Sequence, residues 1–466
     1  MTTSVRVSPG PRTPAPTVDH ATVHRAWWRP RLEGATTPSR LGLLLALLIV
    51  LSLAWGILAA LTANQHSAAA SDVVAVSEPL SLDAEQIYTS LSDADATAAN
   101  AFLAGGLEPA AARQRYKADL TEAAIRIEAA SALVGSTAAR TQVPGHLAAQ
   151  AAAADAAVGD DLAILSGQLP VYTDEVGTAR ANNRLGYPLG AAYLREASGL
   201  LRGTLLPAAN DIYTRESGLL TSASAQATGL PLMVVTIVVG LGIGYAFYRS
   251  SRWLARHTHR VVNYGLLVAG LAGLISLVWL AAAFAVGRAD LLHAQQQGSA
   301  PVQAYARAEV AALRAHADES LTLIDNRGDD TYQADYLAQK KLLGPGPGTL
   351  LAAVQAAGVK GDGEVGGVAA DAQAWYTAHA ALRQEDNSGQ HPAAVQSAQN
   401  GDAAAKFGQL STALSDGINA HQAVFAASAR DGRDAFTGLT AGMIVASLVM
   451  VAGCAWGLSR RLAEYR

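Results

Sequence analysis

Residues 41–63 read LGLLLALLIVLSLAWGILAALTA. None of these 23 residues is charged, and a helix of that length reaches about 35 Å, enough to cross a hydrocarbon core of ~30 Å. The stretch predicts a membrane-spanning helix. A cleaved signal peptide fits poorly, because its apolar run would be only ~7–15 residues and here 40 mostly polar residues precede it. Three further windows pass the same test without a charge: Leu230–Tyr248, Val261–Gly287 and Ala435–Leu458. The chain of 466 residues is therefore expected to cross the membrane four times.

The charges outside these windows divide by sign. Residues 1–40 carry six Arg against Asp19 and Glu33, the loop 249–260 carries four Arg and no acid, and the tail 459–466 carries three Arg against Glu464. The two long segments between spans, 64–229 and 288–434, hold 18 acids against 10 bases and 17 against 11. Positive residues beside spans are retained in the cytoplasm, so both termini and the middle loop are expected inside and the two acidic segments outside. Residues 1–40, with six Pro, lack the apolar content for a core and read as disordered. Cys454 is the only cysteine, so an intrachain disulfide is impossible.

The order span, long acidic segment, span, basic exit occurs twice, which prompts a search for repeats. Leu51-Ser-Leu-Ala-Trp55 matches Ile275-Ser-Leu-Val-Trp279, and Ser251-Arg-Trp-Leu-Ala255 matches Ser459-Arg-Arg-Leu-Ala463. Internal duplication is the reading these matches favour. Both acidic segments are rich in Ala, Leu and Gln, which favours helices. Leu194, Ala197, Leu201, Leu205, Ala208 and Ile212 form a narrow seam of helical spacing in the first, and Val310, Leu313, Ala317, Leu321 and Ile324 form one in the second. Break signals at Gly105-Gly106, Gly135–Gly145 and Gly186–Pro188 divide the first segment into four helices. In the second they fall at Asn326–Asp330, Gly344–Gly348, Gly358–Gly367 and Asp386–Pro392. The expected fold class is all-α: four membrane helices and two helical-bundle domains, at 64–229 and 288–434.

Signatures of catalysis are missing. There is no phosphate-binding loop, no H-E-x-x-H, no nucleophile elbow and no cysteine pair, so no enzyme activity, cofactor or metal is expected. His257 and His259 sit among four Arg, whose charge opposes a metal ion. Nucleic acid is not an expected partner. The densest polar stretch, Asn182-Asn183-Arg184-Leu185-Gly186-Tyr187-Pro188 followed by Tyr193-Leu194-Arg195-Glu196, reads either as a solvated turn between helices or as a ligand or partner site. From it Asn182, Asn183, Arg184, Tyr187, Tyr193, Arg195 and Glu196 are the outer binding candidates. Pro207 removes a helical hydrogen bond and is the candidate hinge. Arg249, Arg252, Trp253, Arg256 and Arg260 are candidates for contact with anionic lipid or a cytoplasmic protein. Gly240 and Gly244 form a G-x-x-x-G that suits helix packing within the chain or a homodimer.

Taken with this topology, the stretch Asn182–Ala209 resembles the GlnX-type membrane sensors of actinobacteria. The resemblance implies tandem four-helix-bundle sensor domains outside the membrane. It also implies an outer partner, the solute-binding lipoprotein GlnH for acidic and amide amino acids, and an inner one, the Ser/Thr kinase protein kinase G. The expected function is thus a non-enzymatic transmembrane receptor that hands an amino-acid signal to a separate cytoplasmic kinase. Direct sensing of a small molecule and a structural scaffold for envelope machinery are the alternatives. Transport is disfavoured because the spans carry no ionisable residue.

Overall fold

A computed structural model describes residues 37–135, 145–258, 263–325, 331–344, 346–357 and 365–463. Every element among them is helical. Helix α1 (Thr37–Asp72) passes through a wide π-helical turn at Val73–Ser77 into α2 (Glu78–Phe102), with Pro79 in the first turn of α2. Its 62 residues from Leu41 to Phe102 extend about 90 Å. Helices α3 (Ala110–Gly135) and α4 (Gly145–Arg184) return and ascend beside it. Then α5 (Leu189–Leu200), a second π turn at Leu201–Leu205 and α6 (Leu206–Ala227) descend to the membrane, and α7 (Leu230–Thr258) crosses it.

The second half opens the same way. Helix α8 (Tyr264–His293) runs through a π turn at Ala294–Ser299 into α9 (Ala300–Asp325). Short helices α10 (Thr331–Leu343) and α11 (Leu350–Ala357), the longer α12 (Val365–Asn387) and short α13 (His391–Asn400) follow. Helix α14 (Asp402–Asp434) then leads down to α15 (Leu439–Ala463). Among the described residues four helices are long and apolar enough to cross a membrane, as in a multi-pass membrane protein. The fourth begins at Leu439 rather than Ala435, because Asp434–Gly438 forms a turn closed by Gly438 at φ +75°, a conformation that costs glycine nothing. The second bundle also breaks at Gly401, an interruption the composition did not mark. The expected breaks at 136–144, 326–330 and 358–364 lie outside the described residues.

The membrane core is held by polar bonds as well as apolar packing. Trp55 Nε1 donates to Ser276 Oγ at 2.9 Å, joining α1 to α8. Ser447 Oγ donates to the Ser52 carbonyl at 3.0 Å, and Thr62 and Thr236 hydroxyls share a bond of 2.9 Å. In apolar surroundings such bonds satisfy groups that would otherwise be costly to bury. Asn263 caps α8 and donates Nδ2 to the Gly457 carbonyl at 3.0 Å, fixing the end of α15 beside it. Cys454 is buried there as a free thiol.

All six seam residues from Leu194 to Ile212 are buried in the first bundle, around Leu80, Ile87, Leu91 and Tyr172. The second bundle centres on Trp375, Tyr336, Leu410 and Leu414. The bundles are fused along α2 and α9. Of the 26 residues of α9, 20 are buried, so this helix is a central post with one face in each bundle rather than an amphipathic wall. Across the seam Arg195 pairs with Asp325, Arg202 bridges Asp95 and Asp318, and Asn100 Nδ2 donates to the Ala398 carbonyl at 2.9 Å.

Candidate functional site

The face of α2 that meets α9 and α14 carries Glu85, Thr89 and Asp93, at helical spacing on one side. Against it α9 presents Glu309 and α14 presents Ser411, Ser415, Asn419 and Gln422, while α3 adds Arg115 and Asp119 at the rim. These groups line a polar cavity of about 200 Å3 between the bundles. Glu85 accepts from Gln422 Nε2 at 3.1 Å and from Thr89 Oγ1 at 3.3 Å, and Glu309 accepts from Ser415 Oγ at 2.5 Å. Arg115 clasps Asp93 with two bonds of 2.9 Å.

The electrostatics follow from burial. Glu85 is pushed up to about 7, by loss of water and then by the charge of Glu309; the bonds from Thr89 and Gln422 and the charge of Arg126 offset only part of this. Glu309 is also raised to about 7 by burial and the charge of Asp93, against relief from Ser415 and Arg115. Burial and neighbouring Asp93 raise Asp119. A second, smaller void of about 20 Å3 adjoins the cavity at Glu85 and Gln422 and is lined by Glu78, Ser81 and Tyr213. Burial holds Glu78 at about 7, with Arg430 acting the other way.

The π turns place further groups beside this site. A π turn widens the helix locally and is often found where a side chain or carbonyl must be redirected. In Leu201–Leu205 it carries Arg202 between Asp95 and Asp318, whose nearer contact is 2.5 Å. In Ala294–Ser299 it presents the Gln297 carbonyl to His421 Nδ1 at 2.7 Å. Gly298 there lies so close to the α14 backbone at Phe425 that an added Cβ would meet the Phe425 nitrogen at 2.9 Å.

The outer residues singled out from sequence do not converge on this cavity. They form the membrane-distal corner between α4 and α5. Asn183 Nδ2 donates to the carbonyls of Phe102 at 2.8 Å and Gly105 at 3.3 Å, tying this corner to the α2–α3 corner. Asn182 Nδ2 bonds the Thr178 carbonyl at 2.9 Å, within its own helix. Tyr193 packs on the first core, and Arg195 is spent on Asp325. Arg184, Tyr187 and Glu196 are exposed. With them Leu107, Leu185 and Leu189 make an apolar tip, Leu107 being 89% and Tyr187 57% exposed. Pro207 follows the π turn of Leu201–Leu205 directly, so the widened turn stands where its missing N–H would interrupt the ladder.

At the other end of the molecule α7 continues past the membrane. Arg249, Arg252 and Arg256 are exposed on it, Arg252 Nη1 donates to the Tyr248 hydroxyl at 3.1 Å, and Trp253 packs partly on the membrane core. Arg260 lies outside the described residues. Sequence reading missed Glu85, Glu309, Arg115 and Asp119. One signal was present: Trp279 follows Trp55 by 224 positions, and Glu309 follows Glu85 by the same 224.

Residues 69–225, the first bundle with the end of α1, match the family model of the actinobacterial sensor domain. No curated protein and no solved structure matches the chain.

Proposed function

We propose that the protein is a transmembrane sensor without catalytic activity, in which events at the paired bundles move the membrane helices. One observation carries this reading. The helices lining the polar cavity, α2, α9 and α14, are those that lead into the membrane helices α1, α8 and α15, two through a π turn and one through the Asp434–Gly438 turn. The sensor-domain match over 69–225 supports the same conclusion. Charge supports the orientation, with the bundles outside and the Arg-rich ends in the cytoplasm.

In this reading the signal is amino-acid availability, delivered by a solute-binding lipoprotein at the apolar tip around Tyr187 and passed to a cytoplasmic Ser/Thr kinase at Arg249–Arg256. A partner or ligand acts only by binding one arrangement of helices better than another, and a tenfold preference corresponds to ~1.4 kcal/mol. Crosslinking of the full-length protein in its native membrane, with and without glutamate, aspartate or glutamine, tests the relay. Recovery of a binding lipoprotein and a kinase, at least one responding to amino acid, is the expected result. Recovery of envelope proteins alone, indifferent to amino acid, overturns it in favour of a scaffold. Charge reversal at Arg252 and Arg256 that leaves kinase output unchanged removes the inner half. The polar cavity favours a second reading, direct sensing of a small molecule between the bundles.

A further inference from the structure

We infer that the cavity between the bundles binds a small organic ammonium cation, held between the carboxylates of Glu85 and Glu309. What binding accomplishes rests on the sensor reading above; the site itself rests on geometry. Glu85 and Glu309 stand at matching places on the two helices that rise from α1 and α8, 224 positions apart like Trp55 and Trp279, and they face the same cavity from the two bundles. A ligand between them therefore joins the two halves of the molecule at equivalent points.

The charge inventory selects a cation. Glu85, Asp93, Asp119 and Glu309 line the cavity against one guanidinium, Arg115. Arg115 is held bidentate by Asp93, so a single positive charge in the cavity lining stands against four carboxylates. Beyond the walls Arg126 is engaged by Asp83 and Glu122. An anionic or acidic amino acid would meet these carboxylates and no cation besides Arg115 among the residues that line the cavity; Arg307 and Arg430 act on Tyr213 and Glu78 at the adjoining void.

Unused polar groups point to a ligand independently of the acids. Tyr213, only 5% exposed, has a hydroxyl with no hydrogen-bond partner, and it lines the small void that adjoins the cavity at Glu85 and Gln422. One oxygen of Asp119 is likewise buried and unpartnered. Buried polar atoms are ordinarily satisfied, so such atoms beside an open space mark a missing partner. A metal ion is a poorer candidate: among the described residues no three ligating side chains are grouped to hold one. A cavity of about 200 Å3 also exceeds what one ion fills. An ammonium group donates up to three hydrogen bonds, enough to reach both glutamates and one of the facing Ser, Asn or Gln side chains.

Ammonium binding should replace protons on the glutamates, so it strengthens as pH rises. The test is calorimetric titration of the full-length protein in lipid nanodiscs with putrescine, and with glutamate as comparator. Saturable putrescine binding at pH 8 is expected, at least tenfold weaker at pH 5.5 and in the Glu85→Gln/Glu309→Gln variant, with no glutamate binding. Absence of putrescine binding, undiminished binding in the double variant, or a preference for glutamate overturns the site. If the variant does not fold, protection of Glu85 and Glu309 from carbodiimide modification by putrescine in the wild-type protein decides the matter. Spin labels at S251C and S459C separate the two claims. Putrescine that binds while neither it nor a lipoprotein changes their distance leaves this site and sinks the sensor reading, whereas a distance change produced by a lipoprotein, with no putrescine binding, does the reverse.

Discussion

The two halves of the membrane domain use the same contact and reach different packing. In the first, the Trp55 ring covers Gly240 of α7, where an added Cβ would come within 2.7 Å of it; in the second, the Trp279 ring covers Gly442 of α15 in the same manner. From there the halves diverge. Helix α15 is drawn into close contact on two sides: Gly56 of α1 faces Ser447, and Gly265 of α8 faces Gly453 and Gly457 with almost no space between backbones. Helix α7 stays at the margin. A Cβ added at Gly242 or Gly244 would meet nothing within 4 Å from another element, and between α7 and α8 a cavity of about 630 Å3 opens beside Gly244, Tyr248 and Gly270. The lesson is that a glycine pattern permits close approach without specifying which helix approaches. Of the Gly240–Gly244 pair, Gly240 is used by Trp55 within the chain, and Gly244 is left at the cavity wall.

This contrast can be broken most directly by size. Gly265→Leu places a side chain where an added Cβ already lies 2.5 Å from Gly457 Cα, and loss of the folded membrane domain is the expected result. Gly244→Leu, entering open space, should leave a monodisperse peak on size-exclusion chromatography. Equal behaviour of the two variants would remove the asymmetry.

A second set of four variants compares buried charge with buried surface. Glu319, fully buried, lies 2.6 Å from His379 Nδ1 and 3.3 Å from His316 Nδ1, and these contacts outweigh burial to hold its carboxyl at about 2. Glu319→Ala should destabilise the protein by roughly 3–5 kcal/mol, the usual cost of leaving a buried pair half-made. Trp55→Ala should cost about 3–5 kcal/mol, and Trp279→Ala less, because the Trp279 residue is 45% exposed against 2% for Trp55. Ser276→Ala should cost only ~1 kcal/mol, because it removes a single bond from Trp55. Thermal unfolding in detergent orders these effects, and a Trp279 variant as costly as the Trp55 variant would show that the shared glycine contact, rather than burial of the ring, sets the cost.

The cavity between the bundles gives a pH dependence of definite sign. Glu85 and Glu309 titrate near 7 in the folded protein against about 4.5 for a free carboxyl, so the folded state holds their protons more tightly than the unfolded one. Their contribution to stability is complete below pH 4.5 and is lost as pH rises through 7. The empty protein should melt higher at pH 5 than at pH 8, and Glu85→Gln/Glu309→Gln should narrow that gap. A gap of opposite sign would show that other groups dominate. The smallest effect belongs to the tip: Tyr187→Ala should leave the melting temperature unchanged, since Tyr187 is 57% exposed, while weakening capture of an outer partner in the crosslinking experiment.

Much of the architecture was legible from periodicity alone. The seam from Leu194 to Ile212 is buried at every position, because a 3–4 spacing on a one-sided helix leaves a single face for the core. The same reasoning underread α9. Its seam from Val310 to Ile324 was recognised, yet Glu309, His316, Asp318 and Glu319 are buried too. Their partners arrive from the π turn between α5 and α6 through Arg202, from α12 through His379 and from α14 through Ser415, and no local spacing announces a partner far along the chain. The repeat signatures show a similar limit. Gly442 follows Gly240 by 202 positions, whereas Ser459 follows Ser251 by 208, so the matched basic exits do not share the register of the tryptophan contacts.

Composition and charge thus determined by themselves that the chain is helical, has four helices long and apolar enough to cross a membrane and carries two acidic bundles, because hydrophobic length and helical period are local properties that each segment satisfies alone. The tertiary structure decided what those bundles do to one another. It placed α9 as a shared post, turned the polar corner at Asn182–Tyr187 into a structural clasp with an exposed tip, and brought Glu85 to Glu309. Those outcomes depend on which faces meet and how much water leaves between them, and a buried carboxylate is distinguishable from a solvated one only after the helices have packed.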